Sequence, residues 1–437
     1  MGVYVDLKIN KLSLLTWKSF FDSKTLGLFF TDDNLIIDEI VIDGEIRKRY
    51  RYSTTVKAAS DRLDSIGYTI KRFEHEFSCK KYQALDYSKY LYDKNVDFEK
   101  QEEVIKKRVD KYITIRKWKN SITKYLKFLL NNDIYDFLLS DKEKPHELNP
   151  KNESDKIIYE SIFSASDESF FGCYYEEFDC INTIRFILAN CKQEDVMEID
   201  ISEMVGWTYE SIEQMQIGDI IPNTIVLVEG KTDKEILEFT LKNIYPHLYN
   251  LYYFMDFEYV KGQNRQGGCD AIAHNIKTFI ASKIDSKFIA VFDNDTIGNQ
   301  SKEKLVNEIG QIPNNFRILT YPNLKNFNRY PTIGTNNKII FDNINGRACS
   351  IELYLPERFI TNSHNTYFPI RWSSFCECKI GSKKISDFQG VISEKEKVLE
   401  NFKKYRQSVL RGTQEFEIAI FNNIKKLLEE IVTAFIE

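Results

Sequence analysis

The 437-residue chain contains few of the residues that interrupt regular structure, with only 9 Pro and 18 Gly. Because it is 43% hydrophobic and 29% charged, it is neither disordered nor fibrous, and it can bury a full core. It also lacks a large excess of one charge, since 60 basic and 65 acidic residues leave a net charge of -5. This balance excludes a nucleic-acid binder that works by bulk positive charge, although local basic faces are allowed.

Long apolar runs are absent. The longest, such as residues 224–228, fall far short of the ~20 residues that span a bilayer, and the first residues do not resemble a secretory leader. We therefore expect a cytoplasmic protein without membrane contact. The eight cysteines are scattered, and only Cys376 and Cys378 form a close pair. We interpret them as reduced side chains rather than as a disulfide framework or a zinc site.

The first half of the chain mixes strand and helix patterns. Residues 3–9 and 35–42 are typical of strands, and residues 54–66 of a helix that ends before Gly67. A longer helical pattern over 99–130 is basic, with interleaved aromatics. It is either a face that contacts nucleic-acid backbones or a solvated face with its aromatics packed inward, and we favour the second.

Beyond residue 221 the pattern changes to an alternation of strands and helices. Continuous β-branched runs such as residues 224–228 are typical of strands buried on both faces of a parallel sheet. The predicted strands cover 224–228, 251–259, 288–292 and 316–321, and the helices between them lie near 232–244, 270–282 and 301–309. This order predicts an α/β, Rossmann-like, mostly parallel sheet.

Acidic residues follow two of these strands. Glu229 comes after the first strand, and Asp293 and Asp295 come after the third. Since ligands of such sheets bind at the carboxyl ends of the strands, the three carboxylates are expected to converge there. Their repulsion is commonly offset by Mg²⁺ or Mn²⁺, which prefer oxygen ligands. Either motif alone is better explained by a helix-terminal acid or a turn, but both together favour a metal site.

The segment Val228-Glu229-Gly230-Lys231-Thr232-Asp233, together with Phe292-Asp293-Asn294-Asp295, resembles a Toprim domain over residues 221–356. The sequence of these motifs is most similar to that of the OLD-like nuclease branch. The resemblance implies a metal-dependent hydrolase that cleaves phosphodiester bonds in DNA or RNA. It implies Glu229, Asp293 and Asp295 as metal ligands, with Glu229 alternatively the general base, and Glu352 as a further ligand.

Other candidates for this chemistry are less specific. Asp233 is either a ligand or an ordinary acid of a first helical turn. Lys383 is the candidate for the lysine that OLD-like enzymes place near the scissile phosphate, although a solvated lysine is the simpler interpretation. Lys261 and Arg265, in a glycine-rich loop, are candidate contacts to nucleic-acid phosphate.

Residues 1–14, 17–18 and 54–77 resemble the HEPN/Toprim-associated N-terminal domain, which precedes HEPN or Toprim domains in bacterial anti-phage proteins. We therefore predict an α+β and then helical domain over 1–215, a Toprim catalytic domain over 221–356, and a mainly helical extension over 357–437. The resemblance implies a defence effector that acts on DNA, tRNA or other RNA. A regulatory protein or nucleoprotein partner and a homo-oligomer are both compatible with it.

Several other functions fit the sequence less well. A P-loop is excluded because Ile225 stands where its first glycine is required. Arg358 and His364 have the spacing of a HEPN ribonuclease pair, but they follow a proline in sequence that is not helical. A primase or topoisomerase would use the same carboxylates but needs further modules. The alternative of a different class is a non-catalytic nucleic-acid-binding or regulatory adaptor.

Overall fold

The computed structural model describes residues 2–42, 44–80, 98–132, 148–163, 179–207, 211–217, 224–256, 268–334, 337–380 and 383–436. The chain forms two compact units, Met1–Ile220 with Ile436–Glu437, and Ile221–Phe435. None of the described helices is long and apolar enough to cross a membrane.

The first unit is built around an antiparallel sheet. Its strands are β1 (Tyr4–Ile9), β2 (Leu12–Lys18), β3 (Leu35–Ile42), β4 (Glu45–Thr55) and β5 (Val196–Asp200), in the spatial order β2-β1-β5-β4-β3. The helices of this unit are α1 (Ser23–Leu26), α2 (Val56–Ile66), α3 (Ile70–Lys80), α4 (Phe98–Tyr112), α5 (Ile115–Leu129), α6 (Glu153–Phe163), α7 (Cys180–Leu188) and α8 (Ser202–Trp207). The predicted α+β character of this part is confirmed.

Helix α2 has the predicted ends. The Thr55 hydroxyl accepts a hydrogen bond from the Ala58 N–H at its start, and Gly67 ends it with a φ of 102°. The long helix predicted over 99–130 is instead two helices, because Thr114 caps the start of α5 through the Lys117 N–H. Trp118 and Tyr125 are buried in the core of the unit. This burial supports the solvated-face interpretation of the basic segment.

The second unit contains the predicted parallel sheet. Its strands are β6 (Thr224–Leu227), β7 (Tyr252–Met255), β8 (Lys287–Phe292) and β10 (Phe316–Thr320), in the spatial order β10-β8-β6-β7 with every pairing parallel. The helices between them are α9 (Lys231–Ile244), α10 (Cys269–Ala281) and α11 (Thr296–Ile309). The alternation of strands and helices is confirmed. A short strand, β9 (Asn294–Asp295), pairs with β13 (Ala348–Cys349).

The prediction of a mainly helical segment over 357–437 is wrong for its first part. A second, mixed sheet joins β11 (Tyr330–Ile333), β12 (Ile339–Asp342), β14 (Ile370–Ile380) and β15 (Lys383–Ile392), in the order β12-β11-β14-β15. Strands β14 and β15 form a long hairpin because their aromatic and polar residues pair across the two strands. Helices α12 (Lys395–Leu410) and α13 (Asn422–Thr433) follow.

Candidate active site

The candidate site lies where the parallel sheet changes direction. From β6 the chain first adds β7 on one side and then β8 on the other, so the carboxyl ends of β6 and β8 border a topological switch point. Crevices at such points are the usual ligand sites of open α/β sheets. Glu229 follows β6 and Asp293 follows β8, and the Asp293 N–H donates a 3.0 Å hydrogen bond to Glu229 Oε1. The structure thus brings these two residues together.

Hydrogen bonds hold Glu229 at both its side chain and its backbone carbonyl. Its side-chain Oε1 also accepts a 3.0 Å hydrogen bond from the thiol of Cys269, and its carbonyl accepts one of 2.8 Å from the Gly268 N–H. Gly268 has a φ of 98°, which favours glycine, and it starts α10. Burial raises the pKa of Glu229, against the opposing effect of the Asp293 N–H and the Cys269 thiol. Cys269 therefore positions this carboxylate.

Among the described residues, one oxygen of the Asp293 carboxylate lacks a hydrogen-bond donor. Its Oδ1 is shielded from solvent, and within the described residues it has no hydrogen-bond partner. Burial raises its pKa well above the ordinary value, and the charges of Glu229, Asp233, Asp295 and Glu352 raise it further. A buried carboxylate oxygen without a donor is costly, and a bound cation would remove that cost.

Asp295 has a second role as the N-cap of α11. Its Oδ1 accepts a 2.7 Å hydrogen bond from the Gly298 N–H, and its Oδ2 accepts one from the Gln389 amide. Burial raises its pKa, and these donors oppose that effect. Each carboxylate oxygen has a second lone pair, so the contacts leave room for a cation. A Cβ on Gly298 would lie 2.2 Å from the Asp293 carbonyl oxygen, so glycine is required there.

Asp233 and Glu352 are both buried, with 8% and 1% of their surface exposed. Asp233, in the first turn of α9, accepts a 2.6 Å hydrogen bond from the hydroxyl of Tyr321. Burial raises the pKa of Asp233 to about 7, with contributions from Glu352 and Glu229 and with Tyr321 acting in the opposite direction. Glu352 accepts a 2.6 Å hydrogen bond from the Ser350 hydroxyl.

A lysine that the sequence did not suggest lies among these acids. Lys395 Nζ is 2.9 Å from Glu352 Oε1. Burial alone would lower the pKa of Lys395, but the charges of Glu352, Asp293 and Asp233 outweigh it and raise that pKa. Five carboxyl groups and one ammonium therefore share this region, and their raised pKa values show that burial and repulsion oppose ionising all five at once. Lys395 is the first residue of α12 and belongs to no recognisable motif, so no sequence signal identified it.

The remaining predicted residues are placed elsewhere. Lys383 starts β15, and its side chain lies outside what the structure describes. Lys261 and Arg265 also lie outside the described residues. Arg358 pairs with Glu417 at 3.0 Å from a short 3-10 helix, and His364 lies in an exposed turn. The HEPN ribonuclease interpretation expected a helix end for this pair, so the structure disfavours it.

The residues fit a divalent cation in their chemistry. The donors are carboxylate oxygens, which Mg²⁺ and Mn²⁺ prefer, and the unpartnered Oδ1 of Asp293 lies among them. In the parts of the chain that the structure describes, no three His, Cys, Asp or Glu side chains stand close enough together to hold one ion. Coordination by three of the carboxylates therefore requires side-chain rotation toward Asp293.

Comparison with known proteins identifies the first unit. The family model HEPN/Toprim N-terminal domain 1 matches residues 1–221, which is half of the chain, so the chain belongs to this family. The predicted resemblance of the N-terminal residues is thereby confirmed, and the family name associates the chain with nuclease-related proteins. No curated protein and no solved structure matched the chain. The carboxylate cluster lies beyond the matched residues.

Proposed function

We propose that the second unit is a Toprim-type, OLD-like domain that hydrolyses phosphodiester bonds of DNA or RNA with Mg²⁺ or Mn²⁺. The observation that carries the proposal is the pairing of Glu229 with the Asp293 N–H at the switch point, next to the unpartnered Oδ1 of Asp293. Membership of the HEPN/Toprim N-terminal family supports it independently. A role in anti-phage defence follows from the same family resemblance and is part of the proposal.

Each acid of the cluster has a proposed role in the hydrolysis. Asp293 is the first candidate ligand, with Asp295, Asp233 and Glu352 able to complete the set. A bound Mg²⁺ would activate water and stabilise the charge that develops on the phosphate. Glu229 serves as a ligand or as the general base, and its raised pKa makes it a stronger base than an ordinary glutamate. Cys269 and the Asp293 N–H fix the orientation of Glu229, which keeps its proton-accepting oxygen in place.

The test is cleavage of supercoiled plasmid and of tRNA by purified protein, with Mg²⁺ and with EDTA. We expect Asp293→Ala to lower the cleavage rate about 100-fold or more, because its unpartnered oxygen is the proposed cation ligand. Glu308→Gln is the matched control, since Glu308 is an acid of the same unit that already pairs with Lys277 at 2.9 Å. That variant should cleave like the wild type.

The alternative class of function predicts a different result. If wild type and Asp293→Ala behave alike toward both nucleic acids, the hydrolase proposal fails. The chain would then be better described as a nucleic-acid-binding or regulatory adaptor. Contaminating nuclease is recognised by activity that all three proteins share in equal measure.

A further inference from the structure

A glutamine of the second sheet reaches the carboxylate cluster. Gln389 lies in β15, and only 9% of its surface is exposed. Its amide nitrogen donates a hydrogen bond to Asp295 Oδ2, and its amide oxygen accepts one of 3.2 Å from the Ile297 N–H. Buried polar side chains are normally paired, and this one is paired with an acid of the candidate metal site.

The two partners of Gln389 determine which way its amide faces. A main-chain N–H can only donate, so the atom of Gln389 that faces Ile297 must be the oxygen. The amide nitrogen is thereby left for Asp295, whose ionised carboxylate can only accept. Turning the amide over would set oxygen against oxygen at Asp295 and N–H against N–H at Ile297. Gln389 is therefore a donor of fixed direction toward Asp295.

Asp295 is consequently held at both of its carboxylate oxygens. Its Oδ1 accepts a 2.7 Å hydrogen bond from the Gly298 N–H, while Oδ2 accepts the one from Gln389. Donors on both oxygens fix the plane of a carboxylate, and the second lone pair of each oxygen then has a defined direction. Hydrogen-bonded partners of this kind orient the ligands of protein metal sites.

The held carboxylate of Asp295 lies close to other acids of the cluster. Burial raises the pKa of Glu229 and of Asp293, and the charge of Asp295 raises both further. This effect requires the Asp295 carboxylate to lie near both side chains. Asp295 is therefore a candidate ligand whose orientation is fixed before a cation binds.

The strands that carry Gln389 and its neighbours are anchored to the helix that Asp295 caps. The Thr296 hydroxyl, at the start of α11, donates a 2.8 Å hydrogen bond to the Phe388 carbonyl of β15. The Gln300 amide, also in α11, donates one of 3.3 Å to the Cys376 carbonyl of β14. Both strands of the hairpin are thus tied to α11.

A glycine allows the close approach of β15. Gly390 follows Gln389, and its N–H donates a 3.0 Å hydrogen bond to the Arg347 carbonyl. A Cβ on Gly390 would lie 2.6 Å from the side chain of Ala348, which belongs to β13, the partner of β9. Since Asp295 is part of β9, this approach brings β15 close to the strand that carries the acid.

We propose that Gln389 is a positioning residue of the metal site, whose amide holds the Asp295 carboxylate in the orientation that binds the divalent cation. The β14–β15 hairpin thereby supplies part of the site from outside the parallel sheet. This inference rests on the proposed function for its cation, but not on hydrolysis or on the kind of nucleic acid.

The test compares Mn²⁺ binding by the full wild-type chain and by Gln389→Met, which removes the amide and keeps the length of the side chain. The free ion is measured by its EPR signal, without substrate and at one fixed pH. We expect the dissociation constant to rise about 10- to 100-fold, because a carboxylate that is no longer held must be ordered when the cation binds.

A double-mutant cycle shows whether Gln389 acts through Asp295. Adding Gln389→Met to Asp295→Ala should change the dissociation constant by less than about 2-fold, because the carboxylate that Gln389 holds is then absent. A general loosening of the fold would instead weaken Mn²⁺ binding in both backgrounds.

Gln300→Met is the matched control. Gln300 is another buried glutamine, 8% exposed, whose amide joins α11 to the same hairpin. Its substitution should cost stability, as that of Gln389 does, but should leave the Mn²⁺ affinity within about 2-fold of the wild type. Melting temperatures of all variants in EDTA verify that they fold and compare these losses.

Several outcomes would overturn the inference. Unchanged or tighter Mn²⁺ binding by Gln389→Met would mean that the amide does not position Asp295 for the cation, and an equal loss in Gln300→Met would assign the effect to the fold. A wild type that binds no Mn²⁺ would overturn both this inference and the proposed metal site.

The remaining results separate this inference from the proposed function. Weaker Mn²⁺ binding by Gln389→Met, in a protein whose wild type cleaves neither plasmid nor tRNA, would remove only the hydrolase proposal. Cleavage by the wild type, with unchanged Mn²⁺ affinity in Gln389→Met, would remove only the positioning role.

Discussion

Acids of the first unit that pair with arginine differ sharply from the acids of the candidate site in the second unit. In the first unit, Asp38 accepts hydrogen bonds from Arg49 and lies near Arg51, and these contacts lower its pKa. Glu153 pairs with Arg108, which lowers its pKa as well. In the second unit, Glu229 and Asp293 face other carboxylates, and their pKa values are raised by burial and mutual repulsion.

This difference shows that the acids of the candidate site reduce the stability of the fold. An acid paired with an arginine contributes modestly to the fold, or is neutral, whereas buried acids that repel one another destabilise it. Among the described residues, Lys395 forms an ion pair with the cluster through Glu352. This destabilising arrangement supports the proposed divalent cation, whose charge would offset the repulsion.

The largest difference in stability and activity is expected between alanine substitutions of one glycine in each unit. Gly298→Ala places a methyl group 2.2 Å from the Asp293 carbonyl oxygen, so the backbone that carries Asp293 and Asp295 must move. We expect a loss of about 3 kcal/mol in the free energy of unfolding and loss of cleavage. Gly67→Ala, at the left-handed end of α2 with a φ of 102°, should cost only about 1 kcal/mol. It should leave cleavage unchanged. Urea denaturation and plasmid cleavage measure both effects, and similar behaviour of the two variants would contradict the account.

Much of this architecture was predictable from the sequence. The parallel sheet and the strand-end positions of Glu229 and Asp293 followed from β-branched runs that end in acids, a local pattern. The hairpin at β14 and β15 was missed because its pairing depends on cross-strand contacts rather than on a simple alternation. Cys269, Gln389 and Lys395 were missed because tertiary packing brings them from distant segments. Tyr321 was detectable, since it directly follows strand β10, as Glu229 and Asp293 follow theirs at the same edge.

Neutralising one acid in each unit should change stability in opposite directions. Asp293→Asn removes a buried acid with a raised pKa, so without metal at pH 7 it should increase the free energy of unfolding. Asp155→Asn should decrease it by about 1–2 kcal/mol, because Asp155 accepts hydrogen bonds from the Tyr125 hydroxyl and the Lys151 N–H. Urea denaturation in EDTA gives both values. A destabilised Asp293→Asn would show that this carboxylate is satisfied in the metal-free protein.

The pH dependence of the free energy of unfolding should also differ between acids of the two units. This effect, counted per pH unit, should be smaller than those of the substitutions above. The pKa of Asp233 is about 7 in the fold and starts from 3.8, so the folded state retains its proton while the unfolded state loses it. Without metal, the free energy of unfolding should therefore fall by up to about 1.4 kcal/mol per unit as pH rises from 4 to 7. Asp233→Asn should remove the share of this fall that Asp233 contributes, while the raised pKa values of the other buried acids keep the rest. Asp38 has a lowered pKa, so its contribution is present above pH 4 and is lost only as pH falls below that value.

A denaturation series at several pH values, with wild type, Asp233→Asn and Asp38→Asn, measures this contrast. Parallel curves for wild type and Asp233→Asn between pH 4 and 7 would mean that Asp233 is ionised in the fold at no cost. The comparison between the two units would then lose its energetic basis.

The most direct test of the carboxylate cluster is an anomalous difference map from a crystal of the protein grown with Mn²⁺. We predict a peak within bonding distance of Asp293 Oδ1, with Glu229 or a second carboxylate rotated toward it, and no such peak in an Asp293→Asn crystal. A map without density at Asp293, or with manganese only at surface acids such as Glu308, would contradict the assignment of a metal site to this sheet edge.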